Sequence, residues 1–401
     1  MIIPPFASHL PRGLIQSQLS THSTEYMWKR FIQFITESTF QVFFAAVFPP
    51  TPGDLPKNPK LILVFSTTGI GDALFDTAAI RSLRLAYPQA RIVVCAHRKR
   101  MTVARHTPDV DEVVPYGKSP FLWIGLLLRF HRERPDLVIL LRSNEEVVPL
   151  AYCINRKALF GGDWRAGNFK HLLSHSVTMP EGEHILRHGT VIAEAAGGIK
   201  QLPKMVYAPK PEELRGIQNR FQAWAQTPFL IFQTGGGRTL SWRNWPVDSY
   251  VRTIRWLAEI CDLQVILTGG KDNEAAATAI EASCPWVINL CSKTTLEETA
   301  ALLTRAVMLV STDTGVMHLG IAVGCPTLAL LHHSSPARGF GPTDLSDGHE
   351  VIELPLPELK SDRVHEPQQL HGEMEGIRDE DVRGAIRRIL VRRGVKLSEV
   401  I

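Results

Sequence analysis

The chain has 401 residues, too many for one ordinary hydrophobic core, so two domains are expected. With 44% apolar and 21% charged residues it has a globular make-up, which excludes a disordered chain and a membrane-embedded one. A net charge of +4 excludes a strong polyelectrolyte partner such as nucleic acid as the main theme, while leaving room for a local basic patch.

The N-terminus, MIIPPFASHLPRG, lacks the charged start and continuous apolar core of a signal peptide. From Trp28 the segment WKRFIQFITESTFQVFFAAVFPPTPG is aromatic and amphipathic. Thr36, Glu37, Ser38, Thr39 and Gln41 interrupt it, so it falls short of the roughly 20 mostly apolar residues of a transmembrane span. It reads first as a helix packed on the protein body or on a partner. Lys29 and Arg30 beside aromatics also suit a helix lying on an anionic membrane. Pro49 to Pro59 (PPTPGDLPKNP) cannot continue a helix and reads as a linker.

An alternation of strands and helices follows. LILVF (61–65) is a buried-strand run, and Ala73 to Tyr87 reads as a helix with Phe75, Ala79, Leu83 and Ala86 on one side. RIVVCA (91–96) is a strand, the basic segment HRKRMTVARH comes next, and DEVVP marks a short strand. PFLWIGLLLRFHRER suits a helix before the strand DLVILL (136–141). IKQLPKMVYAPKPEEL (199–214) is polar and proline-bearing and reads as a domain boundary, after which the alternation restarts. FLIFQ (229–233), a helix from about Val247, QVILT (264–268), a helix around Glu274 to Ala282, and WVINL (286–290) come in turn. Thr295 and Glu298 form a capping box for a helix that buries Leu296, Ala300 and Leu303. VMLV (307–310) and TLALL (327–331) are further strands. Asp379 to Arg393 is a terminal helix, acids first and bases last as the macrodipole favours, docked through Val382, Ile386 and Leu390. The fold class is α/β, with two Rossmann-like domains in tandem and an extra N-terminal helical segment. The six cysteines (Cys95, Cys153, Cys261, Cys284, Cys291, Cys325) are scattered, with no CxxC pair, and read as reduced, mostly buried thiols of a cytosolic protein.

Two polar clusters sit where this pattern places strand ends. In STDTGVMHLGIAVGCP, Ser311 to Pro326, a helix is expected from near Gly315 to Gly324, a suitable αL cap, with Pro326 forbidding continuation. Ser311 to Gly315 then lies at the carboxyl end of a parallel strand and at a helix N-terminus. Open α/β sheets bind ligands there, and free amides favour an anion such as phosphate. Thr312 and Thr314 add hydroxyls, Gly315 allows close approach, and His318 falls on the first turn. Asp313 suits orienting amides or accepting hydrogen bonds from ligand hydroxyls. Capping alone needs one such residue rather than a run of four. STTGIGDAL (66–74) holds the equivalent place in the first domain. Gly69-x-Gly71 begins GxGxxG, but Leu74 stands where the third glycine belongs, so the pyrophosphate fingerprint fails. Asp72 reads either as a helix cap or as a general base.

The combination resembles glycosyltransferase family 9, the bacterial heptosyltransferases, over about Lys60 to Asp344. The residues that carry the resemblance are GIGDALFDTAAIRSLRLAYPQARI, QTGGGRTLSWRNWP, LTGGKDNEAA and STDTGVMHLGIAVGCPTLALL. It implies a GT-B fold, two Rossmann-like lobes facing across a cleft, and an inverting transfer from a nucleotide sugar without a metal ion or other cofactor. Heptose from an ADP-linked donor, moved onto a hydroxyl of a lipopolysaccharide-type or other bacterial glycan, is the implied reaction. Asp72 matches the family's catalytic aspartate. Thr234 and Arg243 match donor-phosphate contacts, and Glu274 or Asp272 the acid on the nucleoside ribose. Asp313, Thr314, Gly315 and His318 match the D-(S/T)-G-x-x-H donor signature. The basic loop His97 to Arg100, with Arg98, Lys99 and Arg100, is the candidate patch for an acidic acceptor. The implied segmentation is an extension at 1–58, an acceptor lobe at 59–205, a donor lobe at 206–375 and a helix at 376–401. The implied location is the cytoplasm, with peripheral contact to the inner membrane. Competing readings are a sugar-nucleotide epimerase or hydrolase on the same scaffold, and a non-catalytic membrane-associated scaffold.

Overall fold

The computed structural model describes residues 49, 51–117, 119–142, 145–179, 182–200, 204–221, 227–236, 238–355 and 373–398. The amphipathic segment from Trp28 to Phe48 lies outside these residues, as does the side chain of Lys99.

Two six-stranded sheets organise the rest, and every strand pair in them is parallel. The first contains β1 (Leu61–Ser66), β2 (Arg91–His97), β3 (Glu112–Tyr116), β4 (Leu137–Leu140), β5 (Leu159–Gly162) and β6 (His175–Val177) in the order β3-β2-β1-β4-β5-β6. The second contains β7 (Phe229–Gln233), β8 (Gln264–Thr268), β9 (Ile288–Asn289), β10 (Leu309–Thr312), β11 (Thr327–Leu331) and β12 (Glu350–Glu353) in the order β12-β11-β10-β7-β8-β9. Helices cover both faces, so the central strands are apolar along most of their length; Ile62, Leu63, Val64 and Phe65 are wholly buried. The order reverses direction between β1 and β4 in one sheet and between β7 and β10 in the other. At each reversal the neighbouring connections leave for opposite faces and open a crevice beyond the carboxyl ends.

The helix Ile70–Ala86 begins three residues before the expected Ala73, because Gly69 is already extended (φ −66°, ψ 171°) and the Asp72 carboxylate accepts its N–H. The capping box at Thr295 forms as expected, with Glu298 N–H on Thr295 Oγ1 at 3.1 Å and Thr295 N–H on Glu298 Oε2 at 2.9 Å. The helix Gly315–Ala322 is capped by Thr314 and closed by Gly324, whose φ of +78° is the left-handed cap anticipated there. The terminal helix Asp379–Arg392 docks through Val382, Ile386 and Leu390 on the second lobe's core.

Three strands differ from their sequence reading. β10 runs over 309–312 rather than 307–310, since the hydroxyls of Ser311 and Thr312 are fully buried and the strand continues through them. WVINL contributes only Ile288 and Asn289. Asp136 lies just before β4 instead of inside it, and its Oδ2 accepts the Lys60 and Leu61 N–H groups at 2.7 and 3.0 Å, fixing the start of β1. The stretch read as a domain boundary also carries structure. Val206 N–H bonds Thr77 Oγ1, Tyr207 N–H bonds the Ala322 carbonyl, and a helix starts at Pro211.

One apolar cluster crosses between the lobes. Ala73, Leu74, Phe75 and Ala78 from the first pack with Leu309, Leu319 and Ala322 from the second. The helices Ile70–Ala86 and Gly315–Ala322 are the two elements this cluster holds together.

Candidate functional site

The two strand-to-helix junctions singled out above follow β1 and β10, one strand from each reversal point, and they meet. A Cβ on Gly315 would lie 3.3 Å from Ile70 Cγ2, and one on Gly71 would lie 3.1 Å from His318 Cδ2. Missing side chains at these positions let the two helix N-termini approach. Phe75, one turn further on, lays its ring 4.4 Å from that of His318. Free amides and positive helix ends from both lobes therefore converge on one spot.

On the second lobe the charged groups form a chain. Arg243 Nη1 donates to Asp313 Oδ2 at 2.6 Å, and His318 Nε2 stands 3.5 Å from Asp313 Oδ1. Burial alone would raise the Asp313 carboxyl. The His318 hydrogen bond, with the charges of His318 and Arg243, outweighs it and holds the group below the ordinary carboxylate value. The Arg243 guanidinium also lies 4.6 Å over the Trp242 ring, which in turn meets the edge of His332. Arg243 is thus fixed from two sides and keeps a buried Nε without a hydrogen-bond partner among the described residues.

The adjoining loops are tied to it. Gly236 N–H donates to Asn244 Oδ1 at 2.7 Å, and Asn273 Nδ2 donates to the Gly236 carbonyl at 3.1 Å. This brings the ends of β7 and β8 beside Arg243. Thr314 Oγ1 accepts the Met317 N–H, so this threonine caps its helix.

The expected site residues do not all behave alike. Asp313, Arg243, Thr314, Gly315 and His318 are brought together. His318, however, is only 4% exposed, and its ring packs between the lobes. Thr234 is buried, with its hydroxyl on the Thr268 carbonyl at 3.3 Å. Glu274 starts the helix Glu274–Ser283 and is exposed, as is Asp272 in the preceding turn. In the basic loop, Arg100 Nη1 donates to the Thr68 carbonyl at 2.6 Å, beside the first junction, while Arg98 is exposed.

Asp72 stands on the first turn of its helix with a side chain 31% exposed. Its Oδ2 accepts the Gly69 N–H at 3.3 Å, and its Oδ1 lies 3.7 Å from Arg142 Nη1. Arg142 follows β4, on the far side of the first reversal point. The sequence reading passed over Arg142, Asp76, His184 and His188, which surround Asp72. One signal was available: an arginine closing the apolar run LVILLR at a strand's carboxyl end. Burial lowers His184, and lowers His188 to about 4 with help from Arg142 and Arg165, so both rings are neutral at physiological pH. His184 Nδ1 caps the helix Ile185–Ala195, and its Nε2 lies 2.9 Å from the Gly341 carbonyl of the second lobe.

Known proteins match this architecture. The family model described as glycosyltransferase family 9 (heptosyltransferase) matches residues 126–367. Lipopolysaccharide heptosyltransferase 2 of Escherichia coli (strain K12) is 27% identical over 313 residues, covering 73% of this chain and 88% of that protein. The solved glycosyl transferase family 9 from Veillonella parvula DSM 2008 superposes with a TM-score of 0.70 at 21% identity, over 84% of this chain and 98% of that one. The E. coli ADP-heptose lps heptosyltransferase II does so at 0.67 and 22% identity, over 83% and 99%. The two lobes are a GT-B fold. With a family model matching more than half of it, the chain belongs to glycosyltransferase family 9, the heptosyltransferases, and is a glycosyltransferase.

Proposed function

We propose that the chain moves a heptose from ADP-heptose onto a hydroxyl of a lipopolysaccharide-type acceptor, with inversion and without a metal ion. The observation that carries this reading is the meeting of two helix N-termini, one bearing Asp72 and the other followed back to Asp313 and Arg243. In a single displacement the acceptor oxygen attacks the anomeric carbon as its bond to the diphosphate breaks. The proton leaves the hydroxyl for Asp72, whose partly exposed carboxylate is the base. The departing diphosphate gathers negative charge, which the amides at Thr314–Gly315 and the guanidinium of Arg243 stabilise. Asp313 holds Arg243 in place, Glu274 takes the ribose, and Arg100 with exposed Arg98 faces an acidic acceptor. Relatives named for ADP-heptose and for lipopolysaccharide support the choice of donor and acceptor.

The experiment is a thermal-shift panel of ADP-, UDP- and GDP-linked sugars, since a true donor raises the melting temperature by mass action. ADP-heptose is expected to give the largest rise. Arg243→Ala should weaken ADP binding by about 1.5–3 kcal/mol, roughly ten- to a hundredfold, the usual worth of a hydrogen bond to a charged group. Equal shifts from all three nucleotides would remove the ADP assignment, and unaltered ADP affinity in the variant would remove Arg243 from the donor site.

A lipid-linked acceptor calls for contact with an anionic membrane surface on the cytoplasmic side. No helix among the described residues is long and apolar enough to cross a membrane. The helix Pro120–Glu133 instead exposes an apolar stripe, Phe121 at 85%, Ile124 at 53% and Leu128 at 59%. Exposed Arg132, Arg134, Arg156 and Lys157 gather at its far end, where Asn155 Nδ2 donates to the Pro135 carbonyl at 2.8 Å. Apolar side chains beside cations suit the boundary of an anionic bilayer. In vesicle flotation the full chain should bind phosphatidylglycerol-containing vesicles and not phosphatidylcholine alone. Phe121→Ser with Leu128→Ser should lose most of that binding; unchanged flotation would take this face out of the proposal.

A further inference from the structure

Arg142 is an unusual group to find behind a general base. Its side chain is 1% exposed, and two of its three nitrogens are tied down. Nε donates to Asp76 Oδ1 at 3.0 Å, and Nη2 donates to the Ile185 carbonyl. Asp76 is fully buried, and its second oxygen accepts the Ser66 hydroxyl at 2.6 Å. Phe75 packs its ring 5.2 Å from the guanidinium carbon. The guanidinium plane is therefore set by strand β1, the helix Ile70–Ala86 and the start of the helix Ile185–Ala195 together. The third nitrogen, Nη1, is sealed from solvent, has no hydrogen-bond partner among the described residues, and faces Asp72 Oδ1 across 3.7 Å.

A buried cation needs one carboxylate for compensation, and Asp76 supplies it. That leaves the aim of Nη1 at Asp72 unexplained by stability. We infer that Arg142, anchored by Asp76, is a positioning residue for Asp72: its Nη1 holds the Asp72 carboxylate oriented toward the acceptor hydroxyl. The inference rests on the reading of Asp72 as the base. With Gly69 N–H on Oδ2 and Nη1 beside Oδ1, both oxygens have a donor near them and the carboxylate has little freedom to turn. The other charged or titratable groups around the cluster are Asp76 on the same helix, His184 and His188 on the helix beside it, Arg165 beyond His188, His318 from the second lobe and Arg100 after β2, which donates to the Thr68 carbonyl on the loop before Asp72. The two first-lobe histidines are neutral at physiological pH, so Arg142 is the cation nearest the base.

The test exchanges the buried pair as a unit, Arg142→Gln with Asp76→Asn, which removes both charges and leaves hydrogen-bonding groups of similar shape. The expected result is a kcat at least tenfold lower with a KM for ADP-heptose within threefold of wild type. A role confined to packing would lower the melting temperature and leave the kcat of the folded variant unchanged. Arg142→Lys covers the case in which the double variant fails to fold. It keeps the charge opposite Asp76, but an ammonium anchored there cannot also face Asp72, so kcat should again fall with donor KM held. Wild-type kcat in either folded variant would overturn the inference. Asp72→Asn run alongside separates the two claims: if it transfers heptose normally, the base assignment itself is wrong. If it is inactive while the pair variants behave as wild type, only the role of Arg142 is lost.

Discussion

Asp72→Asn is expected to lower kcat by about a hundred- to ten-thousandfold, the usual worth of a positioned general base, while the affinity for ADP stays within a few-fold of wild type. Asparagine is the informative replacement because Asp72 also accepts the Gly69 N–H at the start of its helix. An asparagine oxygen can still cap that amide, so the helix and the lobe contact made by Ile70, Gly71 and Phe75 should survive. Alanine would confound chemistry with a lost cap, worth about 0.5–2 kcal/mol by itself. The two effects separate cleanly. Turnover measured at saturating ADP-heptose reports the base, and the melting temperature without nucleotide reports the cap. The proposed nucleotide contacts lie on the other lobe, at Arg243, Asp313 and Thr314, so donor binding should not change. Wild-type turnover in Asp72→Asn would end the general-base assignment, whatever the identity of the sugar.

The sequence exposed what depends on local pattern. Strand runs such as LILVF and TLALL are apolar because both sheet faces are covered, and the caps at Thr295, Thr314 and Gly324 follow from backbone chemistry within four or five residues. It misjudged β10, where a polar Ser311–Thr312 pair is buried in the strand and the Ser311 hydroxyl is satisfied locally, donating to the Thr312 carbonyl. β5 ends in two glycines and escaped notice; Gly161 sits against Leu173, so its place in the sheet is decided by a neighbour twelve positions away. The functional junctions were legible for the same reason as the caps: hydroxyls, a carboxylate and a glycine crowd one strand end. Their meeting was not. That Gly71 is open because His318 lies over it, or that Arg142 reaches Asp72 and Asp76, depends on contacts across 66 or more residues. His318 matches the donor signature and falls on the first helical turn, but that the lobe interface covers most of its surface is not visible in local sequence.

Arg142→Ala is expected to be the most destabilising single change near the site, by about 3–5 kcal/mol at neutral pH, because it strands a buried carboxylate. With the arginine gone, Asp76 keeps only the Ser66 hydroxyl, and the space left by a wholly buried side chain adds a cavity penalty. The pH dependence distinguishes the charge effect from the cavity. In the native protein burial pushes the Asp76 carboxyl up from 3.8 to about 6, against the opposing pull of Arg142 and Ser66. A raised carboxyl binds its proton more tightly when folded. Its contribution to stability is therefore full below the unfolded value and is lost as pH rises through the folded one. Removing Arg142 deletes the largest opposing influence and moves the folded value higher still. The deficit relative to wild type should then be largest at about pH 8 and narrow at about pH 5, where Asp76 is protonated in the variant and needs no partner. Urea midpoints at the two pH values measure this directly. A deficit of the same size at both would assign the loss to the cavity and leave the charge of Asp76 without a role in it.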